Sequence, residues 1–234
     1  PDETWVGYAT DTDFYGTDHF TFRVSNGRSS QNSNPAAVTV HVNARPECAQ
    51  RVDAWVSRGL EKKFTFTCDD PYLPEGFRAD VERRPAHGEL SVVGAQLSYT
   101  ADPDYLGPDS FTVRGVDGLG LEAANSSTYE LVIREAPPVC KPATAYGVGQ
   151  EAEDVVKFKV SCGLPDGLKL LSPISYWVGS GEHGTATVDP LTGQVVYHPD
   201  ETSTGIDHVP YEAINGGVRS NPSVVTVRTV RPDR

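Results

Sequence analysis

Residues 99–118 read YTADPDYLGPDSFTVRGVDG, and the same stretch recurs twice more in the chain. Residues 8–27 read YATDTDFYGTDHFTFRVSNG, and residues 197–216 read YHPDETSTGIDHVPYEAING. Each copy opens on a tyrosine, passes through an acidic loop to Gly-x-Asp, and continues into an alternating strand that ends in a glycine-bearing turn. The aligned glycines Gly16, Gly107 and Gly205 lie 91 and 98 residues apart. That period is too long for a solenoid of short repeats and suits one compact domain per repeat. The 234 residues then divide into an incomplete repeat at 1–43 and complete repeats at 44–135 and 136–234.

Within the repeats, short apolar/polar alternations separated by turn residues predict strands, and no segment sustains a 3.6-residue apolar period. The middle repeat has seven such runs, near 48–57, 62–68, 78–83, 88–93, 96–100, 109–116 and 127–134. The last repeat follows the same plan. The incomplete repeat shows three, at 5–9, 18–25 and 36–42. Seven short strands in about 95 residues predict an all-β chain of tandem immunoglobulin-like Greek-key β-sandwiches, the first one incomplete. Pro210 stands in place of Thr21 and Thr112 inside a strand. Having no N–H for the ladder, it predicts a bulge or a missing cross-strand partner there. Three strands alone leave an open apolar face. Either the complementary half lies on a separate piece, or another chain supplies it.

The four cysteines follow the same period. Cys48 and Cys140 come just after a proline at each repeat's entrance, while Cys68 and Cys162 end strands in phase with their apolar positions. One disulfide per repeat, tying the first strand to the second, is the favoured reading, and two buried thiols per repeat the other. Disulfides imply an oxidising compartment and hence export. Zinc is disfavoured, since no C-x-x-C occurs. A net charge of −12 works against nucleic-acid binding. No apolar run is long enough to span a membrane. The chain has no Met and begins on Pro1, which reads as a piece of something longer.

These residues carry a resemblance. Pro-x-Cys48, then Cys68-Asp-Asp-Pro, then Pro-Ala-His87-Gly88, then Tyr99 through Gly107-Pro-Asp109-Ser-Phe111 resembles bacterial tandem immunoglobulin-like, cadherin-like repeats. The last repeat matches with Cys162, His183-Gly184, Tyr197, Gly205 and Asp207, and departs by placing Val209 where Phe111 stands. The resemblance implies extender or stalk modules of large secreted and cell-surface proteins, adhesins among them, and some members bind calcium.

Calcium needs clustered oxygen ligands. The candidates are Asp11, Asp13 and Asp18 in the first repeat and Asp102, Asp104 and Asp109 in the second, with Asp200 and Asp207 in the third and Asp69 and Asp70 near a domain end. The competing reading makes the Gly-x-Asp carboxylate a turn cap and the rest solvated loop charges. Both linkers carry arginine (Arg45, Arg134), which repels a cation. Trp5, Trp55, Trp177, Tyr72 and Tyr105 form a glycan platform only if exposed together, since such residues commonly fill cores. His198, Asp200, Asp207 and His208 flank one loop, but His208 aligns with His19 as a strand-surface residue. No nucleophile elbow, zinc-protease or phosphate-loop motif is present, so no enzyme is expected. The sequence therefore predicts structural stalk or spacer modules of an exported bacterial surface protein or extracellular fibre. Their partners are neighbouring domains of the same longer chain, or like subunits in a fibre. The runner-up is an adhesin region that recognises calcium or glycans at domain ends.

Overall fold

A computed structural model describes residues 5–25, 27, 32–71, 76–148, 155–200 and 205–230. Tyr72 lies outside the described residues. All regular structure among the described residues is β.

The first element is a ribbon. β1 (Gly16–Phe22) pairs antiparallel with β2 (Ala36–Val42), from Gly16 opposite Val42 to Phe22 opposite Ala36.

A sandwich follows, built from β3 (Glu47–Cys48), β4 (Arg51–Ser57), β5 (Glu61–Thr65), β6 (Cys68–Asp69), β7 (Phe77–Arg83), β8 (Gly88–Val93), β9 (Gln96–Ala101), β10 (Gly107–Asp117) and β11 (Glu122–Arg134). One sheet runs β4-β11-β10-β7, with β4 parallel to β11 and the other pairs antiparallel. Opposite it lie β5-β9-β8 and the short pair β3-β6. Alternation decides what enters the space between. Along β10, Asp109, Phe111 and Val113 are buried while Ser110, Thr112 and Arg114 are only partly covered. Phe111, Val113, Tyr99, Leu97, Phe66 and Leu131 are nearly solvent-free and form one core.

The second sandwich repeats this with β12 (Val139–Cys140), β13 (Ala143–Val148), β14 (Val156–Lys159), β15 (Cys162–Gly163), β16 (Ile174–Val178), β17 (Gly184–Val188), β18 (Gln194–Pro199), β19 (Gly205–Asn215), β20 (Val218–Arg219) and β21 (Ser223–Val230). Its sheets are β13-β21-β19-β16, with β20 on β19, against β14-β18-β17 and β12-β15. Val160, Val195, Tyr197, Val209, Tyr211 and Val225 fill its core.

Two differences from the sequence expectation are instructive. The expected first strand of the middle repeat is two strands, because the chain leaves β3 in one sheet and enters β4 in the other. The expected strand at 5–9 is irregular. Its counterpart β9 is held by β5 on one side and β8 on the other. The ribbon has no counterpart of either among the described residues, so 5–9 finds no ladder.

Pro210 sits without a register shift opposite Val224. Its carbonyl accepts the Gly179 N–H at 2.8 Å, so its nitrogen faces the same side, where the ladder with β16 has ended at Val178 opposite Tyr211. The missing partner is therefore the outcome, and no bulge forms.

Cys48 bonds Cys68, and Cys140 bonds Cys162. Each pair is directly opposed in the ladder, with Cα atoms 4.1 and 4.3 Å apart. Closing loops of this length contributes about 3 kcal/mol each in the chain-entropy model. An asparagine clamps each first cysteine. Asn125 takes the Cys48 N–H on Oδ1 and gives its amide to the Cys48 carbonyl, and Asn221 does the same for Cys140. Asn125 opens the sequence Asn-Ser-Ser, and its amide nitrogen is engaged in this clamp.

Candidate functional site

The Gly-x-Asp aspartates are structural locks. Asp109 is 7% exposed, and its carboxylate accepts four hydrogen bonds. Ala86 and His87 N–H donate from the β7–β8 loop at 2.9 and 3.0 Å, Ser110 N–H donates at 2.8 Å, and the Tyr99 hydroxyl donates at 2.8 Å. Asp207 repeats the set with Glu182, His183 and His208 N–H and the Tyr197 hydroxyl. Burial alone pushes both carboxyls upward. The donors outweigh it, with Ala86 first for Asp109 and Tyr197 first for Asp207, and hold both below the usual carboxylate range. Burial, and then the aspartate beside each hydroxyl, raises Tyr99 and Tyr197. The tyrosine at the head of the repeat and the aspartate ten residues on are thus one unit, tying the β9–β10 connection to the β7–β8 turn.

That turn needs glycine for contact rather than for φ. A Cβ on Gly88 would lie 2.5 Å from the Thr100 carbonyl oxygen and 2.8 Å from the Tyr99 ring, and one on Gly184 2.5 Å from the His198 carbonyl oxygen. Gly88→Ala is expected to lower stability by roughly 1–3 kcal/mol, as overpacking does. A urea titration reads this as a lower midpoint at unchanged slope.

Of the other calcium candidates, Asp102 and Asp200 lie beside the locks through their backbones, donating N–H to the His87 and His183 carbonyls at 3.0 and 2.9 Å. Among the described residues, no group of three or more His, Cys, Asp or Glu is arranged to hold a metal ion. Asp18 accepts from the Tyr8 hydroxyl and the His19 N–H, both at 2.7 Å. Asp11, Asp13, Asp102 and Asp104 are exposed loop residues, and Asp69 pairs in the ladder opposite Glu47. His19 and His208 lie against Thr39 and Thr226 across their ladders, as strand-surface residues do. His87 stacks on Tyr105 at 3.6 Å. Trp5, Trp55 and Trp177 are exposed, but no two share a sheet, and Arg134 lies 3.6 Å over the Trp55 ring.

The most unusual polar group lies at the joint between the sandwiches. Arg58, in the turn after β4, is fully buried. Its Nε donates to Glu135 Oε2 at 2.6 Å, its Nη1 to the Pro103 carbonyl at 2.5 Å, and its Nη2 to the Lys169 carbonyl of the second sandwich. Glu135, in the linker, is 3% exposed and also accepts from Asn215, whose amide donates to the Ala136 carbonyl as well. Three donors of one guanidinium therefore hold a linker carboxylate, the end of one sandwich and the beginning of the next. Side chains press closely on two glycines here. Gly59, at φ +66°, leaves room for Leu168, and Gly216, at φ +52°, for Glu135.

The ribbon meets the first sandwich through a related pair with the chemistry exchanged. Asn43 in the linker donates to Asp117, the residue equivalent to Asn215. Asp117 also caps the turn, taking the N–H groups of Leu119 and Leu121 at 2.9 and 2.8 Å. The linker arginines do other work: Arg45 donates to the Glu122 carbonyl, and Arg134 covers Trp55. Neither period nor spacing singles out Arg58, because an arginine beside Gly59 in a turn reads as a solvated charge.

No family model matches the chain, and no curated protein matches it. Among solved structures it is similar to cadherin ectodomain repeats. Drosophila N-cadherin EC1-3 aligns at 14% identity over 85% of this chain and 74% of that one, with a TM-score of 0.35. The human desmocollin-1 ectodomain aligns at 13% over 92% of this chain and 48% of that one, with a TM-score of 0.34. An endo-fucoidan hydrolase of glycoside hydrolase family 107 aligns at 11% over 92% and 34%, with a TM-score of 0.32. At these values the likeness adds no argument, and the β-sandwich reading stands on the strand pairing described above.

Proposed function

We propose that the chain is a structural spacer: immunoglobulin-like units at 1–43, 44–135 and 136–234 of an exported bacterial surface protein or fibre, without catalytic activity. The observation that carries this is the buried Arg58–Glu135–Asn215 joint. A spacer must transmit orientation, and a desolvated, directly hydrogen-bonded charge pair at a linker resists bending more than a solvated one. The joint supplies its own cation, because the Arg58 guanidinium pairs with the linker carboxylate that a bound ion would otherwise neutralise. Disulfides opposite each sandwich's entrance keep the first strand from peeling away, and they match an oxidising, extracellular setting. The adhesin reading draws no support from the tryptophans, which form no common platform.

Small-angle scattering of the whole chain in calcium and then in excess chelator tests the proposal. The expected result is one radius of gyration and one maximum dimension in both. Expansion or greater bending on chelation would overturn the self-contained joint and favour a calcium-stiffened adhesin.

A further inference from the structure

We propose that the flank of the first sandwich binds a neutral saccharide, with Trp55 as the stacking ring. This goes beyond the spacer reading and does not depend on it. Trp55 lies on β4, the edge strand of its sheet, and is 67% exposed. A ring that served packing would be covered, as Phe111 and Tyr129 are. Along β4 and β11, Asp53 faces Glu130, Trp55 faces Val132 and Ser57 faces Arg134. The Arg134 guanidinium lies over the Trp55 ring and holds it in place. An open cavity of about 510 Å³ is lined by Trp55 with Arg51, Asp53, Pro108, Glu130 and Val132. Arg134 is not in that lining, so the cavity lies on the other side of the ring.

The chemistry of the lining says what fits. The indole, with Pro108 and Val132, offers a flat apolar wall. A pyranose with equatorial hydroxyls matches it through a face of axial C–H groups. Arg51 donates to both Asp53 oxygens at 2.8–3.1 Å, and Glu130 stands directly opposite Asp53. Guanidinium donors and carboxylate acceptors thus lie side by side, which suits hydroxyls that both donate and accept. Around the ring, Arg51 and Arg134 balance Asp53 and Glu130, so no net charge selects an ion, and the ligand is neutral. The outer edge of β4 pairs with no strand among the described residues, which lets a longer glycan run past it. The second sandwich keeps an outward aromatic at the same place. Tyr146, 76% exposed, faces Arg228, the equivalent of Val132, while Thr144 and Thr226 replace Asp53 and Glu130. The site is one ring on a sandwich flank and needs no second tryptophan.

The test is an NMR titration of the whole chain with cellohexaose and with chitohexaose, against hexagalacturonate and hexalysine as acidic and basic contrasts. A neutral hexasaccharide is expected to shift the Trp55 indole N–H and the Asp53 and Glu130 amides saturably, and the charged oligomers are not. Trp55→Ala is expected to weaken binding about tenfold or more, and Trp55→Phe less. Tyr146→Ala is expected to leave the Trp55 shifts unchanged. If Trp55→Ala does not fold, the shift map of the natural chain decides. No saturable shift with either neutral oligomer overturns the proposal, as do shifts that map away from Trp55 or affinity unchanged in a folded Trp55→Ala. Binding of a charged oligomer at Trp55 overturns its neutral-ligand assignment. Self-association that Trp55→Ala abolishes overturns it in favour of a protein interface.

Discussion

Arg58→Ala is expected to cost about 3–5 kcal/mol in the free energy that couples the two sandwiches, because it leaves the Glu135 carboxylate buried without its cation. Glu135 is 3% exposed, so water cannot replace the guanidinium without opening the joint. The Pro103 and Lys169 carbonyls lose their donors in the same step. The variant is expected to unfold in two separated calorimetric transitions where the natural chain shows a coupled one. Scattering should show a broader distribution of distances. Removing both charges in Arg58→Met with Glu135→Leu is expected to recover much of the loss, since an apolar pair of similar volume avoids the stranded charge. A loss below about 1 kcal/mol for Arg58→Ala, the scale of exposed pairs, would mean that the guanidinium is solvated and the joint is not locked by it.

Asp109→Ala is expected to be comparably damaging, at about 3 kcal/mol or more, from several buried donors losing one acceptor together. Three backbone N–H groups and the Tyr99 hydroxyl converge on this carboxylate. Tyr99→Phe removes one of those four and is expected to cost less, about 1 kcal/mol. The lock also sets an acid limit. Because the folded carboxyl is held below its ordinary value, its contribution is fully present above the unfolded value of about 3.9. It is lost as pH falls through the lower folded value. Acid titration of Asp109→Asn by circular dichroism should therefore show a shallower loss of stability below about pH 4 than the natural chain. Asp207→Ala should destabilise the second sandwich in the same way. The two losses should add, because the locks share no partner.

How much of this was legible beforehand follows from which interactions are local. The strands of both sandwiches follow from apolar positions two residues apart, and β7, β8 and β9 fall within a residue of where alternation places them. The disulfide partners follow from phase, since Cys68 and Cys162 continue the apolar side of their strands. The Tyr-to-Asp spacing announces a repeated unit, but the acidic loop around it reads equally as a calcium site or as a lock. Only the N–H groups arriving from the β7–β8 turn, more than twenty residues away in sequence, distinguish the two. The strand expected at 5–9 fails for the same reason in reverse: its alternation is adequate, but the neighbours that would hold it are absent from the described residues. The clamps by Asn125 and Asn221 leave no local trace, because an asparagine near the start of a strand is ordinary, and its partner is a backbone about 80 residues earlier. Arg58 was invisible for the strongest reason. A charged residue in a turn is solvated by default, and only the approach of a second sandwich, bringing Lys169 and Asn215 to the Glu135 linker, removes the water. Local pattern thus determined the strands and the phase of the cysteines that end them, because those depend on residues two positions apart, and the repeat shows in the chain's own self-similarity. The locks, clamps and joint were decided by tertiary structure, because a hydrogen-bond donor from a distant segment leaves no periodic trace in the chain.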